Sequence, residues 1–131
     1  MNLSDIVAPS DWRILVECDE GGNSELDEVM SGLTDGELAG WLKLLERAAI
    51  VGPKNIPRNN RHHIDKPNDI YEFIKGKWRL SFFYDEGNIV VCGHMFRKKT
   101  QETPKKDKKK AARLKERYLN AKADGTLTIV E

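Results

Sequence analysis

The sequence predicts an α+β domain, a small antiparallel sheet with two N-terminal helices and a basic C-terminal helix. Three observations point there. Two amphipathic blocks with capping sequences follow an early β-branched segment. Three β-rich segments joined by short turns occupy the middle of the chain. A lysine-rich run with a thin apolar stripe then opens at a Thr-Pro pair. Strands grouped together and helices grouped at the ends are the mark of this class.

Taken in order, Trp12-Arg13-Ile14-Leu15-Val16-Glu17 is aromatic and β-branched and runs into Asp19-Glu20-Gly21-Gly22, a strand and its turn. Leu26, Val29, Met30 and Leu33 recur at helical spacing behind a Ser24…Asp27 cap. Thr34 and Glu37 cap a second helix with Leu38, Trp41, Leu42, Leu45, Ala48 and Ala49 on one face, and Gly52-Pro53 ends it. Prolines and asparagines argue against regular structure over residues 53–69, which is either a connector or a functional loop. Ile70–Lys75, Lys77–Tyr84 and Ile89–Phe96 read as an antiparallel meander turning at Gly76 and at Asp85-Glu86-Gly87-Asn88. Alternation sets Trp78, Leu80, Phe82 and Tyr84 on one face and Arg79, Ser81 and Phe83 on the other. Thr103 as N-cap and Pro104 as first residue open the last helix, Ala111, Leu114, Tyr118 and Ala121 form its stripe, and Gly125 stops it. At 131 residues the chain has room for one domain, placed at 1–123, with a tail at 124–131 that is either one more strand or a loose end.

Several function classes are set aside by composition and spacing. No apolar run approaches the roughly 18 residues of a membrane span, and Met1–Asp11 lacks the basic and apolar regions of a secretory signal. Cys18 and Cys92 are far apart and form no Cys-x-x-Cys pair. They read as buried thiols of a reducing cytoplasm, against a disulfide or metal site. There is no Gly-rich phosphate loop or dinucleotide fingerprint. His62, His63, His94 and the two cysteines match no zinc spacing, and the adjacent His62 and His63 point opposite ways on an extended chain. Neither a metal nor a cofactor is expected.

The net charge of +1 conceals a polarised chain. Residues 1–50 carry eleven acids against three Lys/Arg, and residues 97–117 carry eleven Lys/Arg against three acids. The basic segment either attracts a polyanion such as nucleic acid or pairs with the protein's own acidic half. Cationic and proton-moving groups also converge on the expected sheet. Arg79 lies on a central strand, His94, Arg97, Lys98 and Lys99 end the next one, and His63 and Lys66 precede Tyr71 and Glu72. Such a set suits a phosphodiester: cations stabilise a pentacoordinate phosphorane, and His, Tyr or Glu moves the proton of a 2′-OH. Trp78 and Tyr71 either stack on bases or belong to the core.

The stretch Ile70–Pro104, and within it Ile70-Tyr71-Glu72-Phe73, Trp78-Arg79-Leu80 and His94-Met95-Phe96-Arg97-Lys98-Lys99-Thr100-Gln101 ending in Thr103-Pro104, resembles the phage-derived RelE/HigB-like toxins of type II toxin–antitoxin modules. The last part is similar to the F-x-K-K-t-q-x-t-P signature of those toxins. The likeness continues to about Tyr118 and implies a RelE-like fold. It also implies a metal-independent, ribosome-dependent mRNA endonuclease that inhibits translation by 2′-OH attack, leaving a 2′,3′-cyclic phosphate. The implied partners are a cognate helix-turn-helix antitoxin, the ribosome and mRNA.

By the same resemblance, Arg79 matches the sheet arginine at the scissile phosphate, Lys98 and Lys99 match the basic pair, and His63 and Lys66 match an H-x-x-K pair. With His94 these form the catalytic candidates. Arg97, Tyr71, Lys75, Lys77, Lys105 and Lys106 are the candidate nucleic-acid contacts. Ile74 and Lys75 stand where such toxins often have an arginine, and Tyr118 lies too far inside the helix to match their aromatic general base, so the base is unassigned. The alternative is a non-catalytic gyrase inhibitor of the ParE branch, or an RNA- or ribosome-binding module.

Overall fold

A computed structural model of the chain describes residues 1–99 and 102–131. Thr100 and Gln101 of the basic motif lie outside the described residues. Among the described residues the elements are β1 (Asn2–Asp5), β2 (Arg13–Cys18), α1 (Glu25–Ser31), α2 (Asp35–Val51), β3 (Arg61–Asp65), β4 (Ile70–Lys75), β5 (Trp78–Asp85), β6 (Ile89–Arg97), α3 (Lys105–Asp124) and β7 (Thr128–Ile129). Two short 3-10 turns, Pro53–Asn55 and Arg58–Asn60, lead into β3.

The strands form one sheet in the order β3-β4-β5-β6-β2-β1-β7. The meander β3 to β6 is antiparallel, as is β1 with β2. β2 joins β6 in parallel, and β7 joins β1 in parallel. The architecture is the expected α+β one. The sheet is wider than the sequence suggests, because β1, β3 and β7 are short and mostly polar. Residues 53–69 are not irregular throughout: Arg61–Asp65, between Pro57 and Pro67, pairs with β4. The tail is held as well, through Asn2↔Thr128 and Leu3↔Ile129.

The sheet separates two cores. On one face α1 and α2 cover Ile14, Val16, Phe73, Leu80, Phe82, Val90, Cys92 and Met95 with Leu26, Met30, Trp41 and Leu45. Both helices start in capping boxes, Ser24 with Asp27 and Thr34 with Glu37, as the sequence predicts. On the other face Leu114 and Tyr118 of α3 meet Leu3, Leu15, Phe83 and Val91. Both cysteines are free thiols, and burial pushes the Cys92 thiol pKa up. No described helix is long and apolar enough to cross a membrane.

The basic helix is pinned at its sides by ion pairs. Lys110 reaches Glu25 at 3.0 Å, Arg117 pairs with Glu17, and Lys122 reaches Asp85 at 2.8 Å and Glu86 at 3.1 Å. Part of the helix charge is therefore met by the protein's own acids. At the far end Tyr118 Oη donates to Asp85 Oδ2 at 2.8 Å. Burial and this bond push the Tyr118 pKa up to about 12. For Asp85, burial works to raise the pKa, but the bonds from Lys122 and Tyr118 outweigh it and the net shift is downward.

Asp85→Ala is expected to destabilise the fold by about 1–3 kcal/mol, because a buried hydroxyl loses its acceptor. A carboxylate with a lowered folded pKa stabilises above its unfolded value of about 3.9, and that contribution fades as pH falls through the folded value. Thermal unfolding across pH should thus show the wild-type advantage shrinking below about pH 4.

Candidate functional site

The α3 face of the sheet carries one polar cluster between the β3 edge and the start of α3. Its centre is Glu72, in the middle of β4 and only 1% exposed. The neighbours of Glu72 on β4, Tyr71 and Phe73, face the α1/α2 side, so the carboxylate points the other way. Thr103 Oγ1 donates to Glu72 Oε2 at 3.0 Å. Arg79 Nε lies 3.8 Å from Oε1. Burial raises the Glu72 pKa above the usual carboxylate value, and the Thr103 bond and the charges of Arg79, Lys98 and His62 pull the other way without cancelling it.

Arg79 stands one register step from Glu72, since Glu72 pairs with Ser81 and Ile74 with Arg79. Its Nη1 donates to the carbonyls of Gly76 (3.0 Å) and Trp78 (2.9 Å), which fixes the guanidinium at the end of the sheet. The side chain is 13% exposed, and its buried Nε has no hydrogen-bond partner among the described residues. Lys98 follows β6, and its N–H donates to Lys77 O at 2.8 Å, which aligns the residue beside the β4–β5 turn. Lys98, Glu72, Thr103, His62, Arg58, Arg61 and Lys108 line a groove of about 610 Å³. A hydrogen-bonded carboxylate is thus set in a groove whose lining is mostly cationic, with Glu102 as a second acid.

A bulge shapes the next part of the face. Leu80 pairs with Met95 but Phe82 with Cys92, so Gly93 and His94 together oppose Ser81. His94 N–H donates to Ser81 Oγ at 3.1 Å. A side chain at Gly93 would meet that oxygen at 2.5 Å and Leu114 at 3.3 Å, which explains the glycine. The bulge aims His94 at α3, where Nε2 lies 2.6 Å from Asp107 Oδ1 and Lys110 Nζ lies 3.4 Å from Nδ1. His94 thereby anchors the first turns of α3, the element that follows Thr103.

The structure brings Arg79 and Lys98 together and sets His94 beside them on the same face. It does not bring in Lys66 or Lys99, and His63 reaches the groove only from the β3 edge. Lys66 sits in the β3–β4 turn, beyond the Asp65↔Ile70 pair, about 13 Å along the strand from Arg79. His63, on the edge strand, borders the groove but turns its ring away from Glu72 onto Tyr71, on which it stacks at 4.2 Å, and pairs with Asp69 at 3.0 Å. Lys99 is exposed past the end of β6.

Of the nucleic-acid candidates, Lys105 and Lys106 are exposed on the first turn of α3, and Lys77 is exposed in the β4–β5 turn. Arg97 is exposed opposite Trp78. The Lys75 stem lies over Gly40 of α2. Tyr71 joins the margin of the α1/α2 core, its hydroxyl 3.1 Å from that of Tyr84. That bond, first, and burial raise the Tyr71 pKa.

Sequence reasoning named Glu72 near the convergent cations but left it out of the catalytic candidates, gave Thr103 only the role of a helix cap, and gave Asp107 none. Glu72 had a signal, a carboxylate inside the apolar run Ile70–Lys75 and in phase with Arg79 across the strand pair. Asp107 had another, since it extends the Ala111, Leu114, Tyr118 and Ala121 stripe by one turn. Thr103 was expected to cap α3. The structure corrects this: the helix starts at Lys105, Pro104 occupies the cap position without a side-chain bond, and the Thr103 hydroxyl is committed to Glu72.

No curated protein matches the chain. A family model described as Phage derived protein Gp49-like (DUF891) matches residues 28–116, more than half of the chain, and spans α2, the meander and most of α3. That span contains every residue of the groove. The chain therefore belongs to the phage-derived Gp49-like family, which is associated with toxin–antitoxin modules and so implies an antitoxin as partner.

Proposed function

We propose that the chain is the toxin of a type II toxin–antitoxin pair and cleaves mRNA on translating ribosomes in the cytoplasm, with a helix-turn-helix antitoxin as its cognate partner. The observation that carries this reading is the buried Glu72 carboxylate in a groove lined by Lys98 and His62, with the Arg79 guanidinium 3.8 Å behind it. A phosphodiester laid over Arg79 and Lys98 puts its 2′-OH against a group able to take the proton. Glu72 accepts that proton, the 2′-oxygen attacks phosphorus, and the bond to the 5′-oxygen breaks. The products are a 2′,3′-cyclic phosphate and a 5′-OH whose proton comes from His62 at the groove wall.

Arg79 and Lys98 stabilise the charge that builds on the phosphorane, and the scheme calls on no metal or cofactor. The raised pKa of Glu72 suits a base, because proton transfer is most effective when the base titrates near the working pH. Lys99, Lys105 and Lys106, exposed between the end of β6 and the first turn of α3, supply further phosphate contacts, whereas Arg97 alternates to the α2 side of the sheet near Glu37. His94 acts indirectly, by holding α3.

Induced expression is expected to arrest growth, and Lys98→Ala to relieve the arrest while the purified variant melts within about 3 °C of wild type. Arrest by Lys98→Ala as complete as by wild type removes Lys98 from the site. Inhibition of DNA supercoiling by the wild type, with mRNA left intact, would replace this reading with gyrase inhibition.

A further inference from the structure

We propose that the outer face of the His63 ring is a stacking position for a nucleobase, one that takes a base of the same single-stranded RNA whose phosphate lies over Glu72. The proposal rests on the RNA-cleaving reading above and adds a residue that selects or holds the substrate.

His63 ends a ladder of parallel rings that crosses three strands. The imidazole lies 4.2 Å from the Tyr71 ring at 10°, and Tyr71 stacks in turn on Tyr84 at 5.3 Å and on Phe82 at 5.5 Å. β3 is the terminal strand of the sheet among the described residues, so no neighbouring strand covers the far side of the ring. A flat π-surface left at the end of a stack is what a base continues.

The ring is also held still. His63 Nε2 lies 3.0 Å from Asp69 Oδ1. Asp69 itself is fixed at φ +53° in a turn where Asp65 accepts from both the backbone and side chain of Asn68. A ring braced on one edge and stacked on one face loses little freedom when a ligand covers the other.

The surroundings suit an anionic strand. Arg61 lies 5.9 Å from the Tyr71 ring and Lys54 lies 5.2 Å from the Tyr84 ring. Arg58, Arg61 and His63 line the same groove as Glu72 and Lys98. His62 pairs directly with Glu72, so His63 is one residue from it along the edge strand. By strand spacing and rise, the Cα atoms of Glu72 and His63 are about 6 Å apart. An RNA that turns over the β3 edge can therefore place a phosphate at Glu72 and a neighbouring base on His63.

The test is binding of fully 2′-O-methylated octanucleotides, which lack the attacking hydroxyl, followed by fluorescence anisotropy. His63→Ala is expected to weaken binding about tenfold, within the range for loss of one base–aromatic stack. His63→Tyr should bind within about threefold of wild type, since it keeps a flat ring. A set of oligonucleotides with one abasic position each should show one position where wild type and His63→Tyr lose affinity but His63→Ala does not. A merely structural histidine would not produce that position-specific loss.

Equal binding by all three proteins overturns the proposal, as does an abasic series that affects all three alike. If wild type fails to bind yet cuts mRNA on ribosomes no faster than His63→Ala, the stacking position is refuted and the cleavage reading stands. If wild type neither binds nor cuts, the cleavage reading itself is lost. Tight binding of the antitoxin that His63→Ala alone abolishes, with RNA binding unchanged, would assign the β3 edge to the partner protein instead.

Discussion

Glu72→Gln is expected to slow RNA cleavage by about 100- to 10,000-fold, the usual contribution of a general base, while making the folded protein more stable. The two effects come from one cause. The carboxylate is 1% exposed, and burial holds its folded pKa above the usual value. A group whose folded pKa is raised contributes full stability below its unfolded pKa and loses it as pH rises through the folded value. Above its unfolded pKa the buried Glu72 carboxyl is therefore a cost to folding that the neutral amide avoids. Gln keeps the oxygen that accepts from Thr103 but takes no proton from a 2′-OH. Thermal unfolding at pH 7 should give a higher midpoint for Glu72→Gln, and the gap should close toward pH 4 as the wild-type carboxyl is protonated. The cleavage rate of the wild type should rise with pH through a group titrating above about 4.3. A variant that is less stable and still active would show that Glu72 is a structural ion-pair partner.

Arg79→Ala is expected to cost about 100- to 1000-fold in cleavage, equivalent to roughly 2.7–4 kcal/mol of transition-state stabilisation. The guanidinium is already held by two backbone carbonyls, so little reorganisation is needed when charge appears on the phosphorane. Removing it also takes a cation from Glu72, which should move the acid limb of the pH–rate profile upward. Arg79→Lys should recover only part of the rate, because an ammonium cannot keep the fork that engages both carbonyls and phosphate. Single-turnover cleavage by the three proteins across pH separates the two contributions. A loss of tenfold or less would reduce Arg79 to a phosphate-steering role.

Most of the fold was legible because its longer elements carry strong periodic signals. The capping boxes at Ser24 and Thr34, the apolar stripe of α2 and the turn at Asp85–Asn88 each agree with the tertiary structure they enter. The short strands β1 and β3 were not legible, and β7 was one of two readings of the tail. Arg61–Asp65 has no apolar alternation and is bracketed by prolines. It forms a strand because β4 offers it a ladder, which is a tertiary cause.

The site followed the same division. Strand alternation placed Arg79 on the sheet face opposite Trp78 and Leu80, which is the face that α3 covers, and the basic motif placed Lys98 near it. Thr103 looks like a helix cap because the local pattern is Thr-Pro, yet its hydroxyl is taken by a carboxylate 31 residues away. His63 and Lys66 were expected beside Arg79, but the pleat turns the His63 ring onto Tyr71 at the sheet edge and the β3–β4 turn carries Lys66 to the far end of the strands. Contacts made across strands in a register that local pattern does not set stay hidden until the sheet is assembled.

The measurement that bears most directly on the central claim is mapping of mRNA 5′ ends in a cell-free translation reaction with wild type, Glu72→Gln and Arg79→Ala. The account predicts new 5′-hydroxyl ends within codons, dependent on ribosomes, paired with 2′,3′-cyclic phosphate on the upstream fragment, and lost with either folded variant. Intact mRNA with folded wild type, or the same ends at the same rate with both variants, would contradict it.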